Sequence, residues 1–411
     1  MIRLRWLIID LARRLWVRST LFAAAGILSA IAGILLEPWL PDEWSLRIGA
    51  ESVGNVLQIM ASSMLAVATF SLATMVSAYA GASNATTPRV TELLIRDNSA
   101  QNAVATFIGS FLFSLVGIIA LNAGVYGQGG RIVLMLSTIA VIVVIVLTLL
   151  RWIDLLARFG RVGDAIARVE EVASSSLHAL WERPCYGARM RIAPPPREAS
   201  VTGKRIGYVQ HIDLAALEQV AARVGGEVHV EVMPGNFVDN TVPLAWLNFA
   251  PDEAALRRVR GAFDIGAERS FDQDPRFGVV VLAEIAIKAL SPGINDAGTA
   301  ITTLSTLNRV LAILAEPRVD DSEIDYPHVF VPPVAIDDLF EDAFSPISQS
   351  GAGDLAVGIR LQKTLQSMHR LGHPAFRSAA RKQSQLALKR ARAALPLDED
   401  FERLEALALA D

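Results

Sequence analysis

The string ALSPGINDAGTAIT, at residues 289–302, is the most distinctive candidate for ligand chemistry in the sequence. Its Pro-Gly pair breaks one predicted helix, and Asp296 is well placed to cap the next. The start of a helix offers free backbone N–H groups that can bind a ligand. One hypothesis is therefore a ligand-binding site formed by Ser291, Gly293, Asn295, Asp296 and Thr299. The alternative is a capped junction between helices, because the charge of Asp296 would oppose an anion.

A second group of charged residues lies just upstream, in FDIGAERSFDQDPRFG at 263–278. Carboxylate oxygens are the ligands that hard metal ions prefer. However, arginines are interleaved with the acids, and the spacing does not match a calcium-binding loop. We therefore expect an ion-pair network that fixes the loop, with a weak metal cluster as the alternative. The residues concerned are Asp264, Glu268, Arg269, Asp272 and Asp274.

Other signatures of catalysis or cofactor binding are missing from the sequence. His369 and His373 have the spacing of a helical zinc pair, but Gly372 and Pro374 interrupt that helix. There is no Walker loop, no GxSxG elbow and no CxxC pair. We expect no cofactor, no resident metal and no catalytic residue.

The amino-acid composition indicates the class of protein in which these residues occur. The chain has 411 residues, of which 52% are hydrophobic and 19% charged, with a net charge of −4. A soluble domain is about 25% charged, so this composition indicates a membrane protein with a soluble part. The balanced charge argues against a nucleic-acid partner.

Crossing a bilayer takes roughly 17–25 apolar residues. Four runs meet this requirement, at about 19–36, 53–80, 102–124 and 132–152.

The second of these runs carries hydroxyl side chains along one side. Ser62, Ser63, Thr69, Thr74 and Ser77 fall within an arc of about 140° at the helical period. They would line a pore if this side faces water, whereas the alternative is a seam of small residues packed against another helix. No ionisable residue lies in the interior of any run, since Arg151 falls at the exit from the fourth, and this argues against an ion-coupled carrier. Four helices cannot enclose a wide aqueous path, so a pore requires a homo-oligomer.

The distribution of arginine predicts the orientation in the membrane. Ten arginines flank one side of the predicted spans and two flank the other, and basic residues favour the cytoplasmic side. The single cysteine, Cys185, agrees with a reducing compartment. The sequence thus predicts a multi-pass protein of the bacterial inner (plasma) membrane with both termini cytoplasmic.

The predicted fold is an α-helical integral membrane protein with four transmembrane helices and a C-terminal α+β cytosolic domain. Residues 1–152 form the membrane domain, and 153–200 form a connecting helix and a proline-rich linker. A small β/α subdomain follows at 201–250, where Val228, Val230 and Val232 alternate as in a strand. Helical patterns at 251–411 predict a bundle.

Several strings in the chain resemble a bacterial family of predicted membrane proteins that is defined as a domain of unknown function, DUF2254. These are TTPRV, GYVQHIDLAAL, GNFVDNTVPLAWL, GAERSFDQDPRFGVVVLAEIAIKALSPGINDAGTAI and DDLFEDAF, spread over about 53–344. The chain departs from the family at Ala297, where proline is more usual, and at Thr87, where serine is commoner. The resemblance implies an integral inner-membrane protein with a cytosolic domain, and it implies no catalytic residues.

Functions of different classes remain open at this point. The first is a homo-oligomeric pore or transport-like protein with a cytosolic regulatory or assembly domain. The second is a membrane-anchored sensor or scaffold that binds a small ligand or a protein through its cytosolic domain. A membrane-bound enzyme that uses the carboxylates at 264–274 is the third. The expected partners are the lipid bilayer, further copies of the chain, and a small ligand or ion.

Overall fold

The computed structural model describes most of the chain from residue 50 onward. The described residues are 17, 20–21, 24, 27–28, 31–32, 50–95, 98–126, 128–158, 161–196, 198–317 and 323–410. Contacts divide the chain into a first unit, Met1–Asn84 with Thr91–Arg161, and a second unit, Ala85–Val90 with Val162–Asp411. The predicted span at 19–36 falls mostly outside the described residues.

Long apolar helices dominate the first unit. The helices between residues 50 and 158 are α1 (Ala50–Ala85), α2 (Pro88–Ile95), α3 (Asn98–Asn122) and α4 (Gln128–Arg158). Three stretches of them are long and apolar enough to cross a membrane, namely Glu51–Gly81, Ala100–Asn122 and Gly130–Leu156. These stretches coincide with the predicted runs at 53–80, 102–124 and 132–152.

Side chains of α1, α3 and α4 form the core of the first unit. Near the start of α1, Val53 and Leu57 pack with Phe113, Tyr126 and Leu134. Further along α1, a second cluster joins its methionines to α3 and α4; its buried members are Met60, Met64, Ala68, Met75, Ala100, Ala103, Phe107, Ile145 and Trp152. One face of α1 is therefore committed to packing within its own unit.

The second unit combines helices and short strands. Its helices are α5 (Val162–Glu182), α6 (Leu214–Val224), α7 (Glu253–Gly261), α8 (Pro275–Ala289), α9 (Ala297–Ala312), α10 (Ile336–Ser350), α11 (Leu355–Arg370), α12 (Pro374–Ala394) and α13 (Asp398–Glu405). Its strands are β1 (Ala188–Met190), β2 (Ala199–Thr202), β3 (Gly207–Ile212), β4 (Val228–Val230), β5 (Phe237–Val238), β6 (Pro243–Leu247), β7 (Phe263–Gly266) and β8 (Tyr326–Val331).

The strands form two sheets. The larger has the order β1-β8-β4-β6-β2, in which β8 runs parallel to both β1 and β4 and the remaining pairs are antiparallel. The smaller is an antiparallel sheet with the order β5-β3-β7. Three of these strands lie outside the predicted β segment at 201–250. Strand β1 (188–190) precedes it, and β7 (263–266) and β8 (326–331) follow it. Pairing between distant strands brings them together.

The helices of the second unit pack around α8. Its neighbours are α5, α9 and α10, and α8 approaches α5 so closely that a Cβ at Gly278 would lie 2.5 Å from the Cβ of Ala173. On the side of α10, the rings of Phe340 and Phe376 meet edge to face at 5.2 Å. Glycine at 278 therefore allows the close crossing of α8 and α5.

The stretch Ala297–Ala315, which includes α9, is also long and apolar enough to cross a membrane. It lies in the second unit, where the sequence predicted a soluble helix. The apolar side of α9 is buried among the unit's own helices, with Leu304, Leu307 and Leu311 fully covered. Arg309, on the same helix, donates to Glu170 of α5 at 2.6 Å. The hydropathy of α9 is thus explained by burial inside this unit.

A polar network lies in the core of the last three helices. Gln362 of α11 donates through Nε2 to the carbonyl of Ser384 at 3.1 Å, and Ser384 Oγ donates to Gln362 Oε1 at 2.6 Å. The backbone N–H of Leu409 in turn donates to Ser384 Oγ at 2.9 Å. Gln362 and Ser384 are both 0% exposed. Buried polar groups require such partners, so this network holds the chain's last segment against α11 and α12.

Replacing Ser384 with alanine should therefore destabilise the second unit by about 1–3 kcal/mol, because Gln362 Oε1 and the Leu409 N–H would lose their partner in a buried place. Chemical unfolding of the full-length protein in detergent, followed by tryptophan fluorescence, measures the effect. Ser378→Ala on the exposed side of the same helix is the control and should change stability by less than about 0.5 kcal/mol. Equal unfolding midpoints for the two variants would contradict a stabilising role for the network.

Candidate functional site

The predicted pore-lining residues lie on an exposed face of α1. Ser62, Ser63, Thr69 and Ser77 are exposed, and Thr74 is half-buried. The packing face of α1 carries the methionines of the first unit's core and lies on the opposite side of the helix, since residues advance by about 100° along an α-helix. The small residues Ala66, Ala73 and Ala80 share the exposed face. The hydroxyl face is thus not used for packing among the described helices of the first unit.

The hydroxyl groups on this face bond back to their own helix. Ser62 Oγ donates to the carbonyl of Gln58 at 3.0 Å, and Thr69 Oγ1 donates to that of Ala66 at 2.9 Å. Thr74 Oγ1 likewise donates to the carbonyl of Ser71 at 2.9 Å. Such bonds satisfy the hydroxyl protons and leave oxygen lone pairs free to accept. The face is therefore compatible with a neighbouring helix or with water.

The polar face of α1 begins before the first predicted hydroxyl residue. Glu51, Asn55 and Gln58 are exposed residues with helical spacing, and they lie on the same side of α1 as Ser62 and Thr69. The signal was present in the i, i+4, i+7 spacing of these polar residues. The predicted span begins at residue 53 and its predicted polar face consists of serine and threonine, so it does not include these three residues. The polar stripe consequently extends along nearly the whole helix.

The junction at 289–302 is a capped connection between α8 and α9. Asp296 is the N-cap of α9, and its carboxylate accepts from the backbone N–H of Thr299 at 3.0 Å and from Thr299 Oγ1 at 2.6 Å. These hydrogen bonds lower the pKa of Asp296. The Asp296 carboxylate and the Thr299 hydroxyl are therefore already engaged in the N-cap of α9.

The rest of the predicted ligand site forms the turn before this cap. Ser291 Oγ donates to the carbonyl of Lys288 at 2.6 Å, and the Ser291 carbonyl accepts from Asn295 N at 2.8 Å. Asn295 has a φ of 52°, in the left-handed region that asparagine tolerates. Gly293 and Asn295 are exposed. The structure thus brings the five predicted residues together on an open surface.

The charged loop at 263–278 is held by one buried ion pair. Asp274 is 1% exposed, and its Oδ2 accepts from Arg269 Nε at 2.8 Å and from Arg269 Nη2 at 2.7 Å. Its other oxygen accepts from the backbone N–H groups of Arg276 and Phe277, which makes Asp274 the N-cap of α8. Burial raises the pKa of Asp274, while Arg269 and the two N–H groups lower it. This carboxylate fixes the loop to the start of α8.

The remaining acids of this loop do not gather around Asp274. Asp264 and Glu268 are exposed, and Asp272 accepts from Ser270 Oγ at 2.9 Å. Across the described residues, no group of three or more His, Cys, Asp or Glu side chains is close enough to hold a metal ion. Of the five predicted residues, only Arg269 and Asp274 form an ion pair with each other.

Three ion pairs that the sequence did not predict connect other segments to α8. Arg276 binds Asp342 at 2.7 Å and Asp338 at 2.6 Å, both on α10. Arg89, in the short segment Ala85–Val90 of the second unit, binds Glu284 at 2.6 Å. These partners are separated by 62 to 195 residues along the chain, so no local pattern could reveal them.

Comparison with known proteins identifies relatives of this chain. Uncharacterized proteins of Mycobacterium bovis and Mycobacterium tuberculosis are 24% identical to it over 321 residues. The matched region covers 74% of this chain and 61% of each relative, so the chain spans less than two thirds of their length. No solved structure matches it significantly.

A family match extends over most of the chain. It covers residues 12–367, from before the first predicted span into the last turn of α11, and includes α1, both sheets and the junction at 289–302. The family's description as predicted membrane proteins agrees with the long apolar helices of the first unit. The chain therefore belongs to the predicted membrane protein family DUF2254.

Proposed function

We propose that this protein is a homo-oligomeric pore or transport-like protein of the bacterial inner membrane, in which the polar stripe of α1 lines the path. The proposal rests on one observation, namely that two opposite faces of α1 differ in polarity and burial. The apolar, methionine-rich face packs inside the first unit, while the exposed face carries Glu51, Asn55, Gln58, Ser62, Thr69 and Ser77. A stripe of this kind favours water or a polar partner over lipid.

An oligomer follows from the small number of apolar helices. A few helices per chain are too few to surround an aqueous path, so several copies of α1 would have to face a common axis. Ala66, Ala73 and Ala80 on the same face allow helices from neighbouring copies to approach closely. The flanks of the stripe carry exposed Ile59, Phe70 and Leu72, which suit lipid or a neighbouring subunit.

The second unit has a direct chain connection to the proposed path. The segment Ala85–Val90 follows α1 in sequence and belongs to the second unit, where Arg89 binds Glu284 of α8. Because α8 is the helix around which that unit packs, a rearrangement there would be transmitted through the backbone to the end of α1. This supports a regulatory role for the second unit, in the cytosol according to the arginine bias.

The first prediction concerns self-association. Thr69→Cys should form cross-linked dimers in membranes treated with an oxidant or a bis-maleimide, since copies of α1 would face one another. Ala140→Cys is the matched control, because Ala140 is exposed on α4 and away from the stripe. The chain's own Cys185 is buried and should stay unreactive. Equal cross-linking at positions 69 and 140 would argue against α1 at the subunit interface.

The second prediction concerns conduction. Purified protein in a planar bilayer should give discrete currents, and Ser62→Leu or Thr69→Leu should abolish or strongly reduce them, because an apolar constriction repels water. Ala140→Leu adds similar bulk on an exposed face of another helix and should leave the currents unchanged. The pore is refuted if the wild type conducts nothing, or if the stripe variants conduct as well as the control.

The third prediction concerns regulation by the second unit. Glu284→Gln removes the ion pair to Arg89 and should change the open probability of the channel by up to about fivefold, since exposed ion pairs contribute up to about 1 kcal/mol. Glu341→Gln, an exposed acid on α10, is the control. Single-channel recordings at fixed voltage measure the difference. Identical gating in both variants would remove the support for coupling through residues 85–90.

A further inference from the structure

An open groove of about 510 Å³ lies in the first unit, where the start of α1 meets the end of α3. Its polar lining consists of Glu51, Asn55 and Gln58 from α1 and Asn122 from α3. The apolar part of the lining includes Ile118 and Leu121 of α3. The groove is thus lined by polar side chains from two helices, with an apolar wall on the side of α3.

The polar groups in the groove are available to a ligand. All four side chains are exposed, and none of them hydrogen-bonds to another described residue. Together they present one carboxylate and three amide oxygens. Carboxylate and amide oxygens are the donors that hard cations take up in place of their hydration water. Among the residues that the structure describes, no lysine, arginine or histidine lines the groove, and the ionised group of this lining is the Glu51 carboxylate.

The groove also lies where water can reach it. The 36 residues of α1 make a helix about 54 Å long, whereas the hydrocarbon core of a bilayer is about 30 Å thick. The first turns of α1 would therefore extend toward the membrane surface. A water molecule occupies about 30 Å³ in the liquid, so the groove has room for a cation with much of its hydration shell.

We propose that this groove binds a hydrated hard cation, with Glu51 supplying the charge and Asn55, Gln58 and Asn122 supplying neutral oxygen ligands. The polar stripe of α1 continues from Gln58 to Ser62 and Thr69, so the groove would act as the cation-selecting entrance to the path. This second role rests on the proposed function, whereas binding in the groove does not.

The chemistry of the lining favours weak binding over a resident metal. One carboxylate cannot neutralise a divalent ion, and a site for tight binding would need several charged ligands. Ions that pass through a channel must bind well enough to enter and weakly enough to leave. A single charge beside neutral amides matches this requirement and excludes anions from the groove.

Binding can be tested with Mn²⁺ alone as the probe. The full-length protein in detergent is titrated with MnCl₂, and the loss of the free Mn²⁺ electron paramagnetic resonance signal reports binding. We expect Glu51→Gln to weaken binding about tenfold, because it removes the negative charge that attracts the cation. Asn55→Leu should also weaken it and leaves the charge in place. CaCl₂ should displace Mn²⁺ in the wild type.

The control variant is Asp154→Asn, an exposed acid on α4 in the same unit, which should bind Mn²⁺ like the wild type. Gel filtration confirms that each variant keeps the wild-type size. The site is overturned if the wild type binds no Mn²⁺, or if Glu51→Gln and Asp154→Asn bind it equally well.

A second measurement separates this inference from the proposed function. In bilayers between unequal KCl concentrations, the reversal potential should show selectivity for K⁺ over Cl⁻, and Glu51→Gln should reduce it. Conduction without cation selectivity would refute the entrance and leave the pore intact. Glu51-dependent Mn²⁺ binding without conduction would support the groove as a cation site and refute the pore.

Discussion

The two faces of α1 have to satisfy different surroundings, and this constraint shapes the whole first unit. Van der Waals packing, carried here by Met60, Met64 and Met75, holds one face against α3 and α4. Methionine suits this task because its flexible side chain fills irregular gaps between helices. The opposite face is thereby left outward, and its hydroxyls and amides have to meet something other than the unit's own core.

Small and hydroxyl side chains make that outward face tolerant of more than one environment. The serine and threonine hydroxyls bond to carbonyls of their own helix, so they carry no unsatisfied proton into lipid or into an interface. Glu51, Asn55 and Gln58 carry a carboxylate and two amides, so the start of α1 is the most polar part of the stripe. These groups have no such internal partner among the described residues. A single helix therefore carries both the polar side chains of the stripe and the packing face of the first unit.

In the second unit, helix α8 is the element against which the other segments pack and form ion pairs. Its start is capped by Asp274, which Arg269 neutralises, and Gly278 allows α5 to approach its flank. Ion pairs from Arg276 and Glu284 connect α8 to α10 and to the segment that follows α1. A helix with contacts in so many directions is well suited to pass a local change to the rest of the unit.

The sequence by itself determined the features that depend on local pattern: the three apolar helices that the structure describes in the first unit, the cap at Asp296, the alternation in β4 and the hydroxyl side of α1. Apolar runs, capping residues and helical periodicity act over a few residues, so they can be derived from the chain alone. Only the tertiary structure decided which face of α1 is buried, that β7 and β8 join strands far away in sequence, and that Arg269 pairs with Asp274 while Asp264 stays exposed. It also showed that the apolar α9 packs inside the second unit. Burial and long-range pairing depend on which segments meet in space, and no local pattern carries that information.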